Sequence, residues 1–182
     1  MKLQIVFAHA FSKSPHAPFG NKNSLPWKHN RNDLMNFKRI TDGSVLVMGS
    51  NTFKSLPGKL VGRPHVVLSD TNTAVTESGS AADLYTSMAI SDLIEEIKSV
   101  YLPLGYDTIS VIGGPSVIRQ FLDYADCIYK TTIVEEIEQY DVTIDLAEIT
   151  MKFPYRGTSE LIDDGISGNS ITYFEKLTKG DL

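Results

Sequence analysis

The chain has 182 residues, 42% of them hydrophobic and 21% charged, and a formal net charge of -5. That is enough chain for one domain with a sizeable core, and the acidic balance argues against a nucleic-acid binder without excluding local basic patches around a small anionic ligand. The lone cysteine, Cys127, cannot close an intrachain disulfide, and His9, His16, His29 and His65 are too scattered to form a zinc site with it, so no metal and a reducing cytoplasm are expected.

The first element is a strand over residues 3–10. The opening M-K-L-Q-I-V-F-A-H-A, with Ala8-x-Ala10, has the outline of a signal peptide. Its apolar run is short, is interrupted by Gln4 and follows a single basic residue, so a buried strand is the better reading. No segment reaches the roughly 18 apolar residues of a membrane span. Residues 11–25, rich in Gly, Asn, Pro and Lys, read as a long loop, and long loops in compact domains are often functional.

A helix is predicted over residues 33–40, with Asp33, Phe37 and Ile40 on one face. Asp33 has two readings. It caps the helix, although Asn30 and Asn32 are also suited to that, or it is a carboxylate held in an apolar pocket to meet a ligand edge with two N–H donors. Strands follow at 44–48 (S-V-L-V-M), 65–69 (H-V-V-L-S), 84–85, 108–112 (T-I-S-V-I), 128–135 and 170–177. The continuous apolar ones suit strands buried on both faces. Helices are predicted at 51–55, at 91–100 with Ser91 as N-cap, and at 115–124 with Pro115 at the first position. Residues 160–169, containing Gly165 and Gly168, lead into the last strand as an antiparallel hairpin. The alternation implies a single α/β domain over residues 1–182, with a mostly parallel central sheet flanked by helices and an antiparallel C-terminal hairpin.

Two junctions carry candidate chemistry. In V-I-G-G-P-S, residues 111–116, a buried strand meets two glycines and a helix N-terminus, either as a plain tight turn or as a phosphate contact. M-G-S-N-T-F, residues 48–53, repeats the pattern. Two such junctions at strand C-termini suggest a cofactor across the sheet edge, although the G-x-G-x-x-G fingerprint is absent. Arg63, just before a buried strand, is a solvated loop residue or a bidentate carboxylate clamp.

Taken together these stretches resemble dihydrofolate reductase. The match is L-P-W at 25–27, an acid at Asp33 followed by F-K-R-I-T to Thr41, V-M-G-x-x-T-F at 47–53, G-R-P-H-V-V-L-S at 62–69, V-I-G-G at 111–114 and I-Y-x-T at 128–131. The ordered set covers residues 3 to about 177 and is similar to a divergent or phage-encoded member. The resemblance implies NADPH-dependent reduction of 7,8-dihydrofolate in the cytoplasm (the host's, if phage-encoded), by a monomer or homodimer, with NADH as the alternative cofactor. Asp33 would bind the pterin N3 and 2-amino group and help protonate N5, directly or through a water near Trp27. Val6, Ala8 and Ile112 would border pterin and nicotinamide. Leu34, Phe37, Leu56 and Leu60 would line the aminobenzoyl channel. Arg63, steadied by Thr41, would take the glutamate α-carboxylate, and Thr131 would hydrogen-bond Asp33. Residues 20–27 would form the loop closing over the nicotinamide, with Leu25 and Trp27 at the reacting atoms and Gly20 and Ser24 toward the cofactor. The cofactor would also meet Gly49, Ser50, Asn51, Thr52, Leu68, Ser69, Asp70, Gly113, Gly114, Pro115, Ser116 and Val117, with a cis bond between the two glycines. Where the family commonly places basic residues for the cofactor phosphates, this chain has Ser50, Asn51 and Ser116, and it has Asp70 near the expected 2′-phosphate. The insertion at residues 12–18 has no functional reading. A pterin or pyrimidine reductase of the same fold, of the riboflavin-synthesis kind, and a nucleotide-binding module without catalysis are the competing readings.

Overall fold

The computed structural model of the chain describes residues 1–182 except Ser167, Asn169, Asp181 and Leu182. In chain order the elements are β1 (Lys2–Ala10), β2 (His16–Gly20), α1 (Arg31–Thr41), β3 (Val45–Gly49), α2 (Ser50–Lys54), β4 (His65–Leu68), β5 (Leu84–Thr86), α3 (Ile90–Tyr101), β6 (Thr108–Gly113), α4 (Pro115–Phe121), β7 (Cys127–Val134), β8 (Val142–Asp145), α5 (Leu146–Lys152), β9 (Tyr155–Asp163) and β10 (Ile171–Thr178), with a 3-10 turn at Leu102–Leu104. They fall into two compact units. The first holds Met1–Ile5 and Thr41–Ala125, the second Val6–Ile40 and Asp126–Leu182.

In the first unit the strand order is β5-β4-β3-β6-β1, parallel at every pairing. The apolar run of β3 is buried on both faces, as is most of β4 and β6, the pattern of parallel strands covered on both sides. Helix α3 buries Leu93, Ile94, Ile97 and Tyr101, one stripe at helical spacing. Ser91 does not cap it. The helix begins one residue earlier, because the Leu93 N–H already bonds the Ala89 carbonyl, and the capping position makes no side-chain hydrogen bond.

In the second unit β1 is followed in the sheet by β7, β10 and β9, the last two pairings antiparallel. The C-terminal hairpin is thus present as β9 and β10; the expected turn extends to Asn169, which lies outside the described residues. The fold class is α/β with a mostly parallel sheet and antiparallel strands at the C-terminus. Among the described residues no helix is long and apolar enough to cross a membrane.

The stretch at 11–25 departs from the sequence reading. It is not loop throughout: His16–Gly20 pair antiparallel with Val142–Asp145, and Ala17 and Pro18 are buried. The His-Ala-Pro-Phe-Gly sequence hides this strand, since Pro and Gly are poor strand formers and the partner strand comes late in the chain. Part of the 12–18 insertion therefore supplies a strand. Helix α5 was also unforeseen, although Asp145 and Glu148 carry the capping-box pattern. The Asp145 carboxylate accepts from the Ala147 and Glu148 N–H groups at 2.9 and 3.2 Å.

Helix α1 starts at Arg31, earlier than predicted, and Asn30 caps it. The Asn30 side-chain oxygen accepts the Asp33 N–H at 3.0 Å, while its amide donates to Thr172 Oγ1 on β10 at 2.8 Å. One buried side chain thus closes the helix and ties it to the sheet. Replacing Asn30 by alanine removes the cap and leaves Thr172 without this donor. A loss of about 1–2 kcal/mol is expected in denaturant unfolding, and an unchanged midpoint would show that the cap does not hold α1 in place.

Candidate active site

With Asn30 as the cap, the Asp33 carboxylate is not consumed by its own helix. It sits in the first turn of α1 at 6% exposure, and Phe37, one turn on, is half-buried. Among the described residues its one side-chain hydrogen-bond partner is the buried Thr131 on β7. Burial pushes the carboxyl up from 3.8 to about 6, and the Thr131 hydrogen bond only partly opposes that. Among the described residues no cation contributes to the shift. A buried acid with one neutral hydroxyl for company is poorly satisfied by its own chain, and a ligand edge with N–H donors would satisfy it.

Trp27 is buried in a small cluster with Ala10 and Ile133, against which Ala8 and Ile137 pack. Its indole N–H is buried and has no hydrogen-bond partner among the described residues. Such a group is rare, and it marks a donor aimed at something other than the protein. Leu25, two residues before, is 51% exposed. Gly20 and Ser24 belong to a tight turn in which Asn21 and Ser24 exchange backbone hydrogen bonds at 2.9 Å, with Lys22 and Asn23 at φ 47° and 65°. The Lys22 N–H donates to both Asp141 carboxylate oxygens at 3.2 and 3.1 Å, and the Asp141 N–H donates to the Gly20 carbonyl at 3.1 Å. Asp141 was not foreseen; nothing local in the sequence marks an acid that holds a distant turn.

His9, on β1 beside Ala8, is isolated from the other histidines in the sequence and is buried. Its Nδ1 lies 2.8 Å from the Ala10 carbonyl and must donate; Nε2, 3.2 Å from Thr132 Oγ1, therefore accepts. Burial lowers it to about 4, so the ring is neutral at physiological pH. Val6 is buried on the same strand, and Leu34 on α1 is exposed.

In the first unit the two strand–glycine–helix junctions lie side by side, because β3 and β6 are neighbours. A Cβ on Gly49 would come within 3.3 Å of Val117 and 4.0 Å of the Gly114 nitrogen; one on Gly114 would meet Thr52 Oγ1 at 3.6 Å. The junctions thus approach backbone to backbone. Gly49 and Gly114 occupy the cap positions of α2 and α4 and offer no side-chain acceptor to the first-turn N–H groups. The Gly113–Gly114 peptide bond is cis, as the resemblance implied, and Gly113 has φ 129°. Ser50, Thr52, Gly114 and Pro115 are partly buried, Asn51 and Ser116 exposed, and Ile112 and Val117 buried. At the end of β4, Leu68 and Ser69 are partly buried and Asp70 exposed. A backbone cradle with uncapped N–H groups fits a diphosphate. The side chains here, Ser50, Asn51, Asp70 and Ser116, add no positive charge to it.

Arg63 is buried, with Nη1 donating to Thr41 Oγ1 at 2.9 Å and Nε to the Val61 carbonyl at 3.4 Å. Burial lowers its pKa from an ordinary value so high that the guanidinium stays charged, and the nearby Asp42 opposes the shift. Leu56 and Leu60, in the same unit, are half-buried.

The raised Asp33 carboxyl has a stability consequence. Between the unfolded value near 4 and the folded value near 6, the folded chain binds more protons than the unfolded one, so stability falls as pH rises through that window. The difference corresponds to about 3 kcal/mol. Asp33→Asn, which cannot ionise, should therefore be more stable than the wild type at pH 7 by up to about 3 kcal/mol and no more stable at pH 4. Equal stabilities at both pH values in urea unfolding would contradict the burial of a charge at this position.

The comparisons with known proteins agree with this geometry. The family model described as dihydrofolate reductase matches residues 4–160. Dihydrofolate reductase type A10 of Escherichia coli is 30% identical over 134 residues, 73% of this chain and 66% of that protein. Dihydrofolate reductase type 9 of Escherichia coli is 36% identical over 131 residues, 70% of each chain. Dihydrofolate reductase of Staphylococcus aureus is 32% identical over 133 residues, 73% of this chain and 72% of that one. The chain thus spans about two thirds or somewhat more of these relatives. With a match over most of its length, an uncommitted buried acid on its first helix and paired glycine junctions on its parallel sheet, the chain belongs to the dihydrofolate reductase family of oxidoreductases.

Proposed function

We propose that the chain reduces 7,8-dihydrofolate to tetrahydrofolate with a reduced nicotinamide dinucleotide, NADPH first and NADH as the alternative. The observation that carries the reading is Asp33: buried, raised to about 6, and served by a single hydroxyl.

The pterin offers N3–H and a 2-amino group on one edge, and the two oxygens of an ionised Asp33 accept them as a charge-assisted pair. Those donors supply what the chain withholds, so binding favours the carboxylate that burial disfavours. Thr131 holds the same carboxylate in orientation. Phe37 gives the flat ring an aromatic wall, and Leu34 extends it on the same helix. Val6 and Ala8 border the ring from β1. In the first unit, Leu56 and Leu60 serve an aminobenzoyl group, and Arg63, fixed by Thr41, takes an α-carboxylate in a bidentate pair.

For the cofactor, Gly49, Gly113 and Gly114 keep the backbone open, and the first-turn N–H groups of α2 and α4 face a diphosphate. Ser50, Asn51, Thr52, Pro115, Ser116 and Val117 surround that cradle, and Leu68, Ser69 and Asp70 take the adenosine end. When bound, the reduced nicotinamide supplies the two-electron reductant for C6. The chain's own part is to orient the ring and move a proton to N5. Delivery of that proton draws on the protonated fraction of Asp33, which burial enlarges and the bound N–H donors reduce again, directly or through a water oriented by the Trp27 indole N–H. The turn at Gly20 and Ser24, tethered by Asp141, carries Leu25 and Trp27 and acts as the lid that excludes bulk water.

The test follows absorbance at 340 nm with dihydrofolate and either NADPH or NADH. Oxidation with NADPH is expected, with an unusually small margin over NADH because Ser50, Asn51, Asp70 and Ser116 offer no positive charge to a 2′-phosphate. No oxidation with either would refute the activity, and a margin as wide as that of a reductase with basic residues at these positions would refute the specificity reading. Asp33→Asn should lose at least about a hundredfold in turnover at pH 7, with part regained at low pH. Wild-type turnover would remove Asp33 from the mechanism.

A further inference from the structure

His65 opens β4 and is fully buried, and no role in the reading above uses it. Its Nε2 lies 3.2 Å from the backbone nitrogen of Leu60. That N–H can only donate, so Nε2 accepts and the ring proton is on Nδ1. Nδ1 faces Asp83 Oδ2 at 3.8 Å without reaching hydrogen-bond geometry. The same carboxylate accepts the His65 N–H at 2.7 Å and the Lys59 ammonium at 2.6 Å. One imidazole and one carboxylate therefore hold both ends of the segment from Lys59 to His65.

That segment carries Arg63; near its C-terminal end the Leu46 N–H also donates to the Pro64 carbonyl at 2.8 Å and the Asp83 N–H to the His65 carbonyl at 2.9 Å. Val61 at its tip is 90% exposed, and Gly62 turns at φ 74°, so side-chain packing at the tip does not set its path. What sets it are polar contacts: the Leu60 N–H to His65, the Asp83 clamp, and Arg63 to the Val61 carbonyl and Thr41. The charged groups facing the imidazole are Asp83, Lys59 and Arg63. Burial lowers the ring's pKa, and the two cations lower it further than Asp83 alone would leave it, so the neutral, accepting form persists at physiological pH.

We propose that His65 is a positioning residue: by accepting the Leu60 N–H against the Asp83 clamp, it holds the turn that presents Arg63 to the carboxylate end of the substrate. This rests on the reading of Arg63 as the carboxylate clamp. An apolar residue at 65 would fill the space and leave the part-buried Leu60 N–H without this acceptor, and the turn would move to find another. Arg63 would lose its pre-set direction, while residues that meet only the ring would be untouched.

The test compares the full-length protein's dissociation constants for folate and for pteroate, the same molecule without its glutamate, by isothermal titration calorimetry. His65→Leu, which keeps volume and removes the acceptor, should weaken folate about tenfold and leave pteroate within about twofold. His65→Gln, whose side-chain oxygen can reach the Leu60 N–H, should restore most of the loss. Arg63→Ala should also be selective for folate. Equal weakening of both ligands by His65→Leu, or of neither, would overturn the positioning role. If Arg63→Ala is itself unselective, the clamp reading fails and this inference falls with it; if Arg63→Ala is selective and His65→Leu is not, only the role of His65 fails. Should His65→Leu not fold, Asp83→Ala, which removes a half-exposed side chain, is scored in the same way and carries the same expectation.

Discussion

The structure of the second unit is organised around a carboxylate that its own chain leaves unsatisfied. Asp33 is taken out of water by α1 and given one hydroxyl, Thr131, in return. Left alone, a buried acid in that setting costs stability whenever it ionises. The surrounding residues maintain this condition. Asn30 performs the capping duty in place of the aspartate in the first turn, and it anchors α1 to β10 through Thr172. Thr131 donates one hydrogen bond, enough to orient the group but not to return its pKa to the ordinary carboxylate range. A protein that stores such a cost at one position gains where a ligand removes it, the usual exchange of stability for function.

The first unit solves a different problem by different means. Its parallel strands β3 and β6 end next to each other, and both run into helices through glycines whose missing side chains let the two turns touch. The cap positions of those helices offer no side-chain acceptor, so a phosphate would be met by backbone N–H groups. Binding by backbone needs shape more than charge, which is consistent with Ser50, Asn51 and Ser116 standing where arginine or lysine would add charge. Arg63 supplies the opposite case in the same unit: a single guanidinium held by Thr41 and by the turn that His65 and Asp83 brace.

How much of this was legible in the sequence depended on where each signal lay. The parallel strands announced themselves as β-branched runs, and the glycine junctions followed from strand, Gly and Pro in order; each is a local signal. Asp33 was legible as a puzzle, an acid on an apolar face, but its two readings were separated only when Asn30 was seen to cap the helix. Strand β2 was missed because its sequence is poor in strand formers and its partner β8 lies near the other end of the chain. Ser91 was misplaced as a cap because α3 starts on the Ala89 carbonyl rather than on a side chain. Helix α5 could have been found from Asp145 and Glu148. His9, His65, Asp83 and Asp141 could not: His9 and Asp141 matter through contacts made far along the chain, His65 and Asp83 through the path of a turn that no local pattern marks, and their residue types recur throughout the sequence.

The central claim is that Asp33 is a buried carboxyl whose protonation sits within reach of neutral pH because, among the described residues, Thr131 alone stabilises its charge. The direct measurement is carboxyl-carbon NMR of aspartate-labelled protein, with the Asp33 resonance assigned by its loss in Asp33→Asn and followed from pH 3 to pH 8. A midpoint of about 6 is expected, rising further in Thr131→Val, where the one hydrogen bond that lowers it is gone. A midpoint near the ordinary carboxylate value of about 4, unmoved by Thr131→Val, would contradict the account at its base.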